Sequence, residues 1–281
     1  MLKNRIEIKD VNQWTYERFG LHSSLLNQDL HCGFFRSKSG KAVTKTLYMF
    51  HGGNADDSQA AQAGLLPLVA DILSQGSHEN IQIVFPYIGT SFLHDHPTAQ
   101  SKSFSNYFLK EVISVAEKEL KIQPENRLLS GWSMGGQAAL NMFLRFPDQF
   151  GGVGVHFPTL VGFNYNDKRE QEAYAQRQKV SDAMMHILVS EFQKEFVDIS
   201  DFSNHDPLHL AKLKAGQLGN KKKIYFDVGQ EDEFGLSEGA RMLHELLLDK
   251  KVAHQYELVP QGKHDGAFIY TQLGKLLKHI L

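Results

Sequence analysis

The sequence predicts an α/β protein with a mostly parallel central sheet covered by helices on both faces. Three observations carry this. Short apolar runs alternate with helical patterns along most of the chain. The runs are apolar throughout rather than alternating, as strands buried on two faces require. Near the middle, a glycine-rich turn joins one such run directly to a helical pattern.

In chain order, the expected strands are residues 46–50 (TLYMF), 81–85 (IQIVF), 127–129 (RLL), 153–156 (VGVH), 224–228 (IYFDV) and 255–259 (QYELV). Between them, Phe104, Phe108, Val112 and Val115 recur at helical spacing, as do Leu236, Ala240, Leu243 and Leu247. Residues 268–281 read as a closing helix, and the first 45 residues as an antiparallel edge to the sheet. Residues 166–198 break the alternation: they are highly charged and read as one long helix or two. Val180, Met184, Leu188, Phe192 and Phe196 repeat there every four residues. That stripe either packs on the body of the protein or belongs to a cap over an active site. The expected organisation is one domain over residues 1–281, with a helical cap insertion at about 160–205 as the open alternative.

Composition narrows the function classes. Lys and Arg total 30 against 32 Asp and Glu, for a net charge of −2, so no basic excess is available for nucleic acid. No apolar run approaches the roughly 18–20 residues that span a bilayer, so no membrane partner is expected. The start, MLKNRIEIKDVNQW, is charged and lacks the apolar stretch of a signal peptide. The lone Cys32, in LHCGFF, forms no intrachain disulfide and reads as a buried, inert thiol. Together these fit a cytoplasmic protein.

The chemistry centres on Gly131-Trp132-Ser133-Met134-Gly135, with Gly136 next. RLLS before it reads as a strand and QAALNMFLRFP after it as a helix, so the motif is G-x-S-x-G in a strand-to-helix turn. Such a turn strains the backbone and crowds neighbouring elements, hence the glycines. It exposes the Ser133 hydroxyl and leaves the Met134 amide at a helix N-terminus, where it stabilises negative charge. This is the signature of the α/β-hydrolase fold, in which the chain order is nucleophile, acid, then histidine.

A serine hydroxyl needs a base, and the base needs an orienting acid. His264 lies in PQGKHDG, after the last strand, at the edge where parallel sheets place their sites. The acid belongs in the loop after the preceding strand. Asp232, just beyond that strand, is favoured; Glu231 is the alternative, and Asp227, inside the strand, reads as structural. A second oxyanion donor is expected from His51-Gly52-Gly53-Asn54. The Gly53 amide is assigned, Asn54 is the alternative, and His51 is expected to brace the loop. Trp132 and Asn54 are candidate substrate contacts. His94-Asp95-His96 lacks further metal ligands and reads as a solvated loop, and Lys221-Lys222-Lys223 as a solvated turn. No metal or cofactor is expected.

The motifs YMFHGG, GWSMGGQAALNMFLRFPDQFGGV, DVGQEDEF and VPQGKHDGAF resemble the putative-esterase family, which includes esterase D (S-formylglutathione hydrolase), feruloyl esterases, enterochelin esterase and the antigen 85 acyltransferases. They extend from about residue 46 to 270. The resemblance implies Ser133, Asp232 and His264 as the triad. Two features depart from the esterase D subgroup: Trp132 stands where a histidine is usual, and HGGNADD lacks that subgroup's cysteine. The expected activity is hydrolysis of a small or medium carboxylic ester through an acyl-enzyme. An acyltransferase with the same triad and an inactive binding protein on the same fold are the alternatives. No motif speaks to oligomeric state.

Overall fold

The computed structural model describes residues 2–99, 102–218 and 222–281. Nine strands form one sheet: β1 (Leu2–Val11), β2 (Trp14–Ser23), β3 (Gln28–Ser37), β4 (Lys45–Phe50), β5 (Ile81–Pro86), β6 (Arg127–Trp132), β7 (Gly152–His156), β8 (Lys223–Gly229) and β9 (Gln255–Val259). Their order is β1-β2-β3-β5-β4-β6-β7-β8-β9. The first 45 residues supply the expected antiparallel edge, β1 to β3, and β3 pairs antiparallel with β5. Asn12 and Asn27 make the two hairpin turns at φ 53° and 51°, a region asparagine tolerates. From β5 through β9 every neighbouring pair is parallel.

The apolar runs that predicted the strands are buried in β4, β5, β6 and β7 without an exposed residue. Parallel strands need helical crossovers, and these cover both faces. The helices Leu65–Gln75 and Gly266–Ile280 pack together on one face; Met134–Arg145, Pro207–Lys214 and Ser237–Asp249 pack together on the other. The crossover from β5 to β6 contains a π-helical turn at Phe108–Val112, which the regular apolar spacing did not foreshadow.

Residues 166–198 form two helices, not one. Lys168–Gln178 ends at Lys179, whose φ of 56° closes it in the left-handed region, and Ser181 caps Asp182–Glu195 through a hydrogen bond from the Met184 amide. The stripe of five residues spaced four apart is chiefly packing. Phe192 is completely buried, its ring 5.4 Å from Phe92 and 5.0 Å from Phe202. Phe196 contacts Phe92, Phe202 and His94.

His94 corrects the sequence reading of its loop. It is buried, not solvated, with Nδ1 3.4 Å from Glu195 Oε1 and Nε2 3.7 Å from Asp201 Oδ2. Periodicity cannot reveal this, because the partners come from the distant helical segment. Lys222 is likewise not solvated: its Nζ donates to the carbonyls of Pro147 and Phe150. Lys221 lies outside the described residues. Cys32 is buried on β3, and burial pushes its thiol pKa up. Among the described residues, no helix is long and apolar enough to cross a membrane.

Candidate active site

Parallel strands with helical crossovers deliver their loops to one edge. β4 ends at His51-Gly52-Gly53, β6 at Ser133, β7 at Phe157, β8 opens the loop holding Asp232, and β9 opens the loop holding His264.

The turn after β6 explains its glycines. A Cβ on Gly131 would lie 2.6 Å from the Gly135 carbonyl oxygen, and one on Gly135 would overlap the carbonyl oxygens of Phe50 and His51. Close approach is therefore what requires glycine. The strained angles fall on Ser133 itself, at φ 55° and ψ −124°. Such a conformation costs on the order of 1–3 kcal/mol and needs surrounding bonds to hold it. The Ser133 amide donates to the His156 carbonyl at 3.1 Å, and the Ser133 carbonyl accepts from Gln137 at 3.0 Å and Thr159 at 3.2 Å.

The three residues assigned from sequence meet here. Ser133 Oγ lies 2.9 Å from His264 Nε2, and His264 Nδ1 lies 2.8 Å from Asp232 Oδ2. The Asp232 side chain is completely shielded from solvent, and its Oδ1 accepts from the amides of Phe234 and Leu236 at 3.0 and 3.5 Å. The imidazole is clamped by Phe157 and Phe234, with ring centroids at 4.3 and 4.8 Å. Glu231 is exposed and stands outside this chain of bonds. Asp227 instead bonds His156 Nδ1 at 2.8 Å and the Tyr225 hydroxyl at 2.9 Å, a buried structural set.

The backbone amides of Gly53 and Met134 make no hydrogen bond among the described residues; Gly53 lines both cavities at Ser133, and Met134 follows Ser133 as the first residue of its helix. The Gly52 amide is not available, since it donates to Gln59 Oε1 at 2.9 Å. The same oxygen accepts Trp132 Nε1, also at 2.9 Å. His51 braces the loop: Nδ1–H donates to the Gly52 carbonyl at 2.9 Å, and Nε2 accepts from the Ile88 amide at 3.1 Å. Burial lowers its pKa, which keeps the ring neutral in that bridge.

Two cavities meet at Ser133 and His264. The larger, about 440 Å³, is walled by Trp132, Phe157, Leu65, Ile269 and Tyr270 among others. The smaller, about 260 Å³, is lined by Asn54, Thr159, Ile187, Leu188, Glu191 and Phe234 as well as Gly53. Trp132 and Asn54, the expected substrate contacts, thus line different cavities. Of the periodic stripe only Leu188 lines the smaller cavity; Val180, Met184, Phe192 and Phe196 do not.

Three neighbours of the site were not assigned from sequence; one of them, Glu233, stands among the loop carboxylates offered for the acid and reads there as a solvated charge. Glu233 Oε2 accepts the His264 amide at 2.9 Å and so ties the two loops together. Gln59 arrives from the four-residue helix Gln59–Gln62 and Glu191 from the helix Asp182–Glu195. Only the pairing of loops in space distinguishes them from solvated residues. No cluster of three or more His, Cys, Asp or Glu able to hold a metal ion occurs among the described residues.

A model of the family described as putative esterase matches residues 23–274. A search of curated sequences finds no significant match. Among solved structures, the chain is similar to a ferulic acid esterase (TM-score 0.73, 19% identity, covering 95% of this chain and 97% of that one). It is also similar to an S-formylglutathione hydrolase from Agrobacterium tumefaciens (0.75, 14%, 99% of each chain). A third is fluorophosphonate-binding serine hydrolase F of Staphylococcus aureus (0.72, 16%, 96% and 100%). At these identities the likeness establishes the fold, that of the α/β-hydrolases, while the family match covers most of the sequence. The chain therefore belongs to the putative-esterase family of α/β-hydrolases.

Proposed function

We propose that the protein hydrolyses carboxylic esters, with Ser133 as nucleophile, His264 as general base and acid, and Asp232 as the orienting carboxylate. One observation carries this: the unbroken run of short hydrogen bonds from Ser133 Oγ through both nitrogens of His264 to Asp232, set on a strained serine. Asp232 fixes the proton on Nδ1, which leaves Nε2 as a lone pair facing the hydroxyl.

In the first step, Nε2 takes the Ser133 proton as Oγ attacks the ester carbonyl. The carbonyl electrons move onto oxygen, and the amides of Gly53 and Met134 stabilise the oxyanion. The carbonyl reforms, the C–O bond to the alcohol breaks, and His264 protonates the leaving alkoxide. Water then repeats the sequence on the acyl-enzyme and releases the acid. No cofactor enters the reaction. The two cavities give the halves of the ester separate space, and the helix Asp182–Glu195 acts as a cap on the smaller one through Ile187, Leu188 and Glu191.

The test is covalent labelling by a fluorophosphonate together with turnover of an aryl ester. Wild type should label and turn over. Ser133→Ala should lose labelling and lower kcat by several orders of magnitude with its Tm retained. Full labelling of the variant would refute the assignment.

A further inference from the structure

We propose that the Glu191 carboxylate selects esters bearing a cationic group in the half that enters the smaller cavity. This rests on the Ser133–His264–Asp232 reading. It adds a specificity-determining residue outside every motif of the sequence.

Among the described residues, Glu191 is the only carboxylate lining that cavity. It lies hard against the oxyanion loop, since a Cβ built on Gly53 would come within 2.9 Å of its Oε1. It has no hydrogen bond or ion pair among the described residues. Ile187, Leu188, Phe234 and Leu236 supply an apolar surround. A half-buried carboxylate without a partner is expensive, and stable proteins normally pair or hydrate it. Burial accordingly raises its pKa, while the positive charge of Lys194 pulls the other way.

The position also has a catalytic cost. Gly53 is one of the two oxyanion donors, so a negative charge beside it opposes the charge that develops in the transition state. A neutral substrate leaves that repulsion in place. A substrate cation lodged against Glu191 removes it and also gives the carboxylate its missing partner. The cavity therefore discriminates by both attraction and penalty. The larger cavity has no such device. Its one carboxylate, Asp265, is exposed and already accepts the Phe268 amide at 2.9 Å as a helix cap.

The experiment uses pairs of aryl and alkyl esters that differ only at one terminus, trimethylammonium against tert-butyl. The terminus is placed on the acyl chain in one series and on the alcohol in the other. Wild type should favour the cation in kcat/KM by on the order of tenfold in one series, with the ratio shrinking as salt rises. Glu191→Gln should bring the ratio close to unity, the cationic ester losing and the neutral ester gaining. Glu191→Lys should reverse the preference. Equal wild-type rates in both series, or a preference that survives Glu191→Gln, would overturn the assignment. Fluorophosphonate labelling and turnover of the tert-butyl ester separate the two readings. If wild type shows both but no charge preference, only the Glu191 assignment falls. If it shows neither, the triad falls with it.

Discussion

Replacing Asp232 by Asn tests the hydrogen-bond chain without disturbing its frame. The wild-type carboxylate divides its work: Oδ1 accepts from the amides of Phe234 and Leu236, and Oδ2 accepts from His264 Nδ1 at 2.8 Å. In the variant, the side-chain oxygen can keep the two amides. The new NH₂ then occupies the place of Oδ2 and presents a donor to Nδ1. His264 must respond by carrying its proton on Nε2, 2.9 Å from Ser133 Oγ. An imidazole in that tautomer can donate to the serine but cannot deprotonate it. Loss of the base and of its ionic partner should lower kcat/KM by about four orders of magnitude, or about 5.5 kcal/mol of transition-state stabilisation. Because the loop keeps its bonds, Tm should move little. The assay is steady-state hydrolysis of an aryl ester alongside thermal unfolding, with Glu231→Gln as the comparison. A loss below tenfold in Asp232→Asn, or an equal loss in Glu231→Gln, would refute the reasoning.

Two predictions concern stability. Phe192→Ala removes a completely buried ring from the cluster with Phe92, Phe196, Phe202 and Tyr165, and should destabilise by about 3–5 kcal/mol in urea unfolding without altering acyl-chain preference. A changed preference at unchanged stability would place the ring in the site. Asp206, the buried cap of the helix Pro207–Lys214, has its pKa pushed by burial from 3.8 up to about 6. The native state therefore holds this proton more tightly than the unfolded chain, so the residue's contribution to stability falls as pH rises from about 4 to 6 and stays low above. Asp206→Asn keeps a capping oxygen and should be the more stable protein at pH 7.5, by at most about 3 kcal/mol, with the difference vanishing below about pH 4. A variant less stable than wild type at pH 7.5 would contradict this.

The strands were legible because their signal is local. The runs at 46–50, 81–85 and 255–259 begin and end within one residue of β4, β5 and β9. β6 runs three residues past the apolar run that ends at 129, since Gly131 and Trp132 belong to the G-x-S-x-G turn pattern and only their burial in the sheet shows them as strand. The long helical segment split at Lys179, where a left-handed residue that is not glycine leaves no compositional mark. Ser133, Asp232 and His264 could be found because chain order and loop position constrain them. Glu191 could not. On the polar side of an amphipathic helix it reads as a solvated charge, and only tertiary placement brings it against Gly53. The same applies to His94, whose burial depends on Glu195 and Asp201 from another part of the chain.

Gln59 has a consequence for how the site can change over time. One oxygen atom holds both the Gly52 amide and the Trp132 indole, each at 2.9 Å, so while both bonds are made those two nitrogens stay within twice that length. Gly52 precedes Gly53, the proposed oxyanion donor, and Trp132 precedes Ser133. The glutamine thus acts as a gauge block between the two loops that, in the proposed mechanism, flank the reacting carbonyl. A lineage that exchanges Trp132 for a side chain of different reach loses the gauge unless position 59 changes with it. Trp132 and Gln59 therefore work as one unit although 73 residues separate them, and Gln59 opens a four-residue helix that carries no motif.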